Sequence, residues 1–361
     1  MLKKTITVKE TTNSTRLKLQ LPPRTPRLRA TFLPIQPNQL IHPNQPINQH
    51  RTSNLKPRTN SKLKTSPYRL NFNPLINPGQ PLEQKQTAMK KIVLIASVVV
   101  TTTATAQTHK LQKIWETDTI VAVPESVLLD SKQNILYVSL IDGGPWDADG
   151  KGGVGKLSPD GKKYNGTWIT GLNAPKGLGT LKDKLYVADL NKVVVIDVKK
   201  ASIDKKIEIE GASGLNDITV DTKGNVFVSD SKTAKIWRIT NDVPSIYLEN
   251  ITGANGLKAI GDVLVFAQGK MLQKANAQKE ITKIAEVPNG IDGIEPVGNG
   301  DFIVTAWQGY VYYVSANGNV ETLLDTHAAN KNTADIGYDP VKRIIYVPTF
   351  NGKTVAAYSL K

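Results

Sequence analysis

Polar residues at Glu125, Lys176, Asn216, Asn255, Asp292 and Asp335 follow one another at intervals of 51, 40, 39, 37 and 43 residues, and Asp217 comes directly after Asn216. Gathered in space, their side chains would present mostly carboxylate and amide oxygens, the donors that suit a hard ion such as Ca²⁺ or Mg²⁺. Carboxylates crowded together without a cation repel one another and are poorly solvated. The chain has no Cys and four His, of which only His109 and His327 lie beyond residue 88. A disulfide framework, a thiolate nucleophile and a Cys- or His-rich metal site are therefore excluded. A Ser-His-Asp triad would have to rest on one of those two His. Asn and Asp ahead of a strand also serve as ordinary turn formers, and a channel lined by them can simply hold water. Glu125, Asn216, Asn255 and Asp292 taken together argue for more than turn chemistry.

The elements that would gather these residues are visible as a repeat. Each polar residue opens a short apolar strand, then a turn containing Gly, Asn or Asp, then a second strand rich in Val, Ile, Tyr and Phe. Asn216-Asp-Ile-Thr-Val-Asp-Thr-Lys-Gly-Asn-Val-Phe-Val and Asp335-Ile-Gly-Tyr-Asp-Pro-Val-Lys-Arg-Ile-Ile-Tyr-Val are two examples. The mean spacing of 42 residues is the period of a β-propeller blade. A third strand continues each unit and a fourth continues five of them, but the sixth ends at Lys361 with three. Residues 111–117 (Leu-Gln-Lys-Ile-Trp-Glu-Thr) precede the first unit and supply the missing strand, closing the ring and removing two open edges. The expectation is an all-β, six-bladed propeller over residues 107–361; a β-sandwich would leave the six-fold period unexplained. First strands line the central channel, so the six polar residues converge at one mouth. Ser139, Asp189, Asp230, Gln268, Trp307 and Phe350 end second strands and are candidates for the rim. An insert at residues 142–153 carries Trp146, Asp147 and Asp149. Its Asp-Ala-Asp-Gly run echoes a calcium loop but has Ser158 where that loop ends in Glu, which favours a cover over the pocket.

The first 88 residues are of a different kind. They hold 15 Lys and Arg against two acids and 12 of the 21 Pro, so nearly all of the chain's net charge of +15 resides there. They show no sustained apolar period and read as a disordered Asn/Pro-rich stretch. The basic balance thus gives no reason to expect nucleic acid as a partner of the globular part. Met89-Lys-Lys, the apolar run 92–100 and Ala104-Thr-Ala106 have the three-part layout of a secretory signal peptide. A run of nine residues, eight of them apolar, is too short for a permanent membrane anchor. The expectation is translation from Met89, a signal at 89–106, and an exported protein in a periplasm or outside the cell.

Over residues 107–361 these segments resemble the senescence marker protein/gluconolactonase/luciferin-regenerating enzyme family, which includes regucalcin. The matching motifs are Glu125 on the first blade, Asn255-Gly256-Leu257, Asp292-Gly293 and Asn216-Asp217. The resemblance implies that Glu125, Asn255 and Asp292 hold one divalent cation, Ca²⁺ first and otherwise Mg²⁺, Mn²⁺ or Zn²⁺. It further implies hydrolysis of a small-molecule lactone or related ester, with Asp292 as catalytic base and Asn216 on the substrate; Lys176, from its place in the ring, and Trp307, from its place at the rim, are further candidates for substrate binding. Here Glu125 is followed by Ser-Val where the family has Gly-Pro, and Lys176 adds a cation to the ring that would bind an anionic substrate or weaken a metal. The rival reading is a non-enzymatic, exported NHL-like propeller that binds a protein, glycan or small molecule.

Overall fold

Every second strand of the repeat is β-branched and aromatic, as in Ile135–Leu140 (ILYVSL) and Ile344–Pro348 (IIYVP), a composition that fits a pleated surface buried on both sides. Turns ahead of these strands are tied by carboxylates. Asp130 accepts the Lys132 and Gln133 N–H groups at 3.0 Å each, Asp221 accepts those of Lys223 and Asn225, and Asp339 those of Val341 and Lys342. The computed structural model describes residues 109–361; the segments read above as a basic stretch and an export signal lie outside them. Among the described residues the strands form six four-stranded antiparallel sheets. This is the expected six-bladed propeller.

Inner strands are Pro124–Asp130, Pro175–Leu181, Leu215–Val220, Ala254–Ile260, Ile291–Gly298 and Gly337–Asp339, for blades one to six. Leu111–Glu116 pairs antiparallel with Val355–Leu360 and completes blade six, as the repeat count requires. Glu116 anchors this seam by accepting from Lys331 Nζ at 2.5 Å and Thr354 Oγ1 at 2.7 Å, with Lys113 beside it. The hydrophobic core is divided in the same way as the sheets. Six buried clusters each lie between two neighbouring blades, such as Val127, Leu136, Tyr346 and Val355 between blades one and six. A seventh, Ile141, Ala174, Ala334 and Phe350 with Val123 and Leu190 against it, belongs to the loops around the mouth. No helix among the described residues is long and apolar enough to cross a membrane.

Candidate active site at the channel mouth

In blades one to five the inner strand breaks register at the same place. Pro124 pairs with Leu140 and then Val127 with Val138, three steps against two; blades two to five repeat this at Pro175/Leu178, Leu215/Ile218, Ala254/Leu257 and Ile291/Ile294. Such a bulge frees two residues from the ladder and re-aims their side chains. The freed pairs are Glu125-Ser126, Lys176-Gly177, Asn216-Asp217, Asn255-Gly256 and Asp292-Gly293. Backbone groups released by the bulge are recaptured by the neighbouring strand: Ser139 Oγ accepts Ser126 N–H at 2.8 Å, Ser229 Oγ accepts Asp217 N–H at 2.9 Å, and Thr305 Oγ1 accepts Gly293 N–H at 2.8 Å.

Two positions per bulge make two sets. The leading set contains Glu125, Lys176, Asn216, Asn255 and Asp292. The trailing set contains Ser126, Gly177, Asp217, Gly256, Gly293 and Asp335. Asp335 was expected beside Glu125, but it stands opposite Ser126, whose hydroxyl donates to its Oδ2 at 2.5 Å. The turn carboxylates carry the signal for this offset: Asp130 and Asp221 lie five residues past Glu125 and Asn216, whereas Asp339 lies four past Asp335. Blade six thus has Ala334 in the leading position. Glycine occupies the trailing position in three blades because neighbours fill the space; a Cβ on Gly256 would come within 2.2 Å of the Asp292 carbonyl oxygen, and one on Gly293 within 2.7 Å of Ile336 N.

The leading set is buried and charged. Glu125, Lys176 and Asp292 are 4%, 3% and 3% exposed. Asn255 Nδ2 donates to Asp292 Oδ1 at 3.0 Å. Burial pushes the Asp292 carboxyl up to about 6, against the pull of the Lys176 ammonium and the Asn255 bond. Glu125 is raised by burial too; Lys176 opposes the rise, while Asp292 and Asp335 add to it. Burial lowers Lys176, and its attraction to Glu125 and Asp292 works the other way. In the trailing set, burial pushes Asp335 up to about 7 despite its bond from Ser126. Asp217 is raised by burial and by Asp335, while its oxygens accept Leu257 N–H at 2.5 Å and Ile218 N–H at 2.6 Å. Asp335 and Asp217 therefore brace the strands that carry Glu125 and Asn255: Asp335 N–H also donates to the Glu125 carbonyl at 2.9 Å.

Asn216 donates from Nδ2 to Ser231 Oγ at 3.1 Å, and that hydroxyl donates on to the Ala254 carbonyl, next to Asn255. Trp307 stands at the rim, 42% exposed, with its ring edge-on to Phe350 at 5.5 Å. Most of the other expected rim residues have structural tasks. Asp189 accepts the Asn173 and Ala174 N–H groups and Asp230 those of Ser213 and Gly214, each pinning the loop that enters an inner strand. Ser139 is fully buried. Val123, directly ahead of Pro124-Glu125, has φ of 46°, a strained conformation for a β-branched residue; in the matching place blade four has Gly253 at 70°.

The donor chemistry admits a hard cation. Glu125 Oε2 and Asn255 Oδ1 are buried with no hydrogen-bond partner, and Asp292 adjoins Asn255. Among the described residues no group of three or more His, Asp or Glu is placed to hold a metal. An ion here would rest on two carboxylates and an amide, leaving places for water or substrate.

Solved structures share this architecture. At TM-scores of 0.51, 0.51 and 0.53 the chain is similar to a streptogramin B lyase, a chain of a nidogen–laminin complex and a provisionally assigned gluconolactonase. Sequence identities are 12%, 16% and 14%; the matches cover 70%, 60% and 70% of this chain and 97%, 85% and 92% of theirs. The likeness is one of fold. No protein-family model and no curated protein matches the chain.

Proposed function

We propose that the protein is an exported hydrolase of a lactone or related ester, working at the propeller mouth with a divalent cation held by Glu125, Asn255 and Asp292. The observation that carries this reading is the pair of unpartnered buried oxygens, Glu125 Oε2 and Asn255 Oδ1, beside a carboxylate raised to about 6. A buried acceptor without a donor is disfavoured by about 1–3 kcal/mol, so two of them beside an acid are better explained by a ligand than by folding. The bound ion would supply Lewis-acid polarisation of the ester carbonyl and acidify a water. Asp292 takes the proton from the attacking water; its bond from Asn255 fixes the carboxylate's orientation. Lys176, the buried cation of the set, binds a negatively charged group of the substrate. Asn216 and Trp307 hold the rest of the substrate. The layout of residues 89–106 supports export.

One observation favours the metal-free binding propeller instead: the Lys176 ammonium already attracts both Glu125 and Asp292, and so supplies positive charge without a metal. The two readings part under one experiment. The chain, stripped with EDTA, is melted and assayed on a panel of lactones with Ca²⁺, Mg²⁺, Mn²⁺ or Zn²⁺ restored. On the hydrolase reading one ion raises the melting temperature and restores turnover. Asp292→Asn then lowers turnover by at least ~10²-fold. No shift with any ion, together with no hydrolysis, would leave the binding propeller in possession.

A further inference from the structure

Lys176 is covered from above by a residue of another blade. The long connection between Ile135–Leu140 and Gly152–Leu157 carries Trp146, and the Lys176 Nζ lies 4.4 Å from the centre of its indole ring. Lys232, from blade three, places its own Nζ at 4.4 Å from the same ring. Its stem is held in that direction by contact with Gly214, where a Cβ would meet Lys232 Cγ at 2.5 Å, and its backbone N–H is fixed by Asp230 Oδ1 at 3.2 Å. One indole thus gathers two ammonium groups from two blades. The charges repel, since the presence of Lys232 helps to lower Lys176. Aromatic contact offsets only part of that repulsion. The connection bearing Trp146 is shaped by its own polar groups: Asp147 N–H donates to the Gly144 carbonyl, and Asp149 Oδ1 accepts Lys151 N–H. Its acids lie against the loop's own glycines, Asp147 by Gly144 and Asp149 by Gly143, so the counter-charges acting on Lys176 are those of Glu125, Asp292 and Asp189.

We propose that Trp146, Lys176 and Lys232 form an acid-binding end of the mouth that selects small organic molecules carrying a carboxylate. Resting on the hydrolase reading, this makes the substrate a lactone or ester that bears a free carboxylate away from the bond to be cleaved. The carboxylate sits at the paired ammonium groups, and its carbon frame lies against the indole. Two cations of distinct blades recognise the charge, so the preference is set by the ring of blades and not by one loop.

The test uses the full chain in EDTA, so that neither metal nor turnover enters the readout. Glucuronate, its neutral isostere glucuronamide, and glucose 6-phosphate are titrated while melting temperature and tryptophan emission are recorded. Glucuronate raises the melting temperature and changes the emission, and glucuronamide does neither. Lys232→Gln weakens glucuronate binding about tenfold, one lost charge-assisted contact, and Trp146→Leu removes the emission change. Equal response to acid and amide, or glucuronate binding untouched by Lys232→Gln, overturns the proposal. Tighter binding of glucose 6-phosphate overturns the carboxylate assignment in favour of a phosphate. Acid binding without any lactone hydrolysis would refute the enzyme and leave this ligand preference standing; hydrolysis of neutral lactones without acid binding would do the reverse.

Discussion

Replacing Glu116 by Gln should weaken the seam that closes the ring. Burial alone would raise this carboxyl, but hydrogen bonds from Lys113, Lys331 and Thr354 and the charge of Lys331 hold it at about 2, below an ordinary 4.5. A displacement of that size corresponds to about 3 kcal/mol of stability. Water reaches the side chain, which is 14% exposed, and the flanking Lys113 is 51% exposed. Screening reduces the figure to roughly 1–2 kcal/mol. Because the folded value lies below the unfolded one, this stability is complete above pH 4.5 and drains away as pH falls towards 2. For a domain of this size the loss lowers the melting temperature by roughly 2–8 °C at pH 7. At pH 3 about 40% of the difference between the two proteins should remain. Urea unfolding followed by tryptophan emission gives both numbers, with Trp115 next to the site of change. Equal stabilities at pH 7, or a difference of the same size at pH 7 and pH 3, would refute the reasoning.

Asp335→Asn should act in the opposite direction. Its folded value of about 7 lies above an ordinary 3.8, so the fold favours the neutral acid and loses stability as pH rises from about 4 to 7. Melts in EDTA should show the Asn variant several degrees more stable than the parent at pH 8, with the gain nearly gone at pH 4; a gain independent of pH would count against the assignment. Gly256→Ala should destabilise by at least ~2 kcal/mol, because the new methyl meets backbone of the next blade at 2.2 Å. Gly290→Ala, with open space around it, is the control and should melt within a degree or two of the parent.

The blades were legible because each repeats a strand pair with the same alternation, and the closing strand because the count left the last blade one short. Registry within the inner strands was not. A bulge leaves no mark in composition, so Asp335 read as the sixth equivalent of Glu125 when the turn carboxylates place it one residue deeper. Asp189 and Asp230 read as rim groups because strand-ending acids so often are; their oxygens are spent on backbone N–H groups of the preceding loop. Trp146 could be placed on a cover, but nothing in its neighbours announces that it reaches across to Lys176 and Lys232. That contact joins three blades and depends on how far the connection leans, which is a tertiary matter.

The repeated bulge separates what the molecule is made of from what it can do. Residues in the apolar seams decide whether the ring forms, and none of them belongs to the freed pairs. The leading member of each pair can therefore be exchanged one blade at a time, acid for amide or amide for lysine, with little penalty to assembly, whereas the trailing glycines are fixed by the neighbouring blade. Relatives built on this plan would be expected to differ most in chemistry where they differ least in shape, and an engineer seeking a new reaction would randomise the few leading addresses and leave the walls alone.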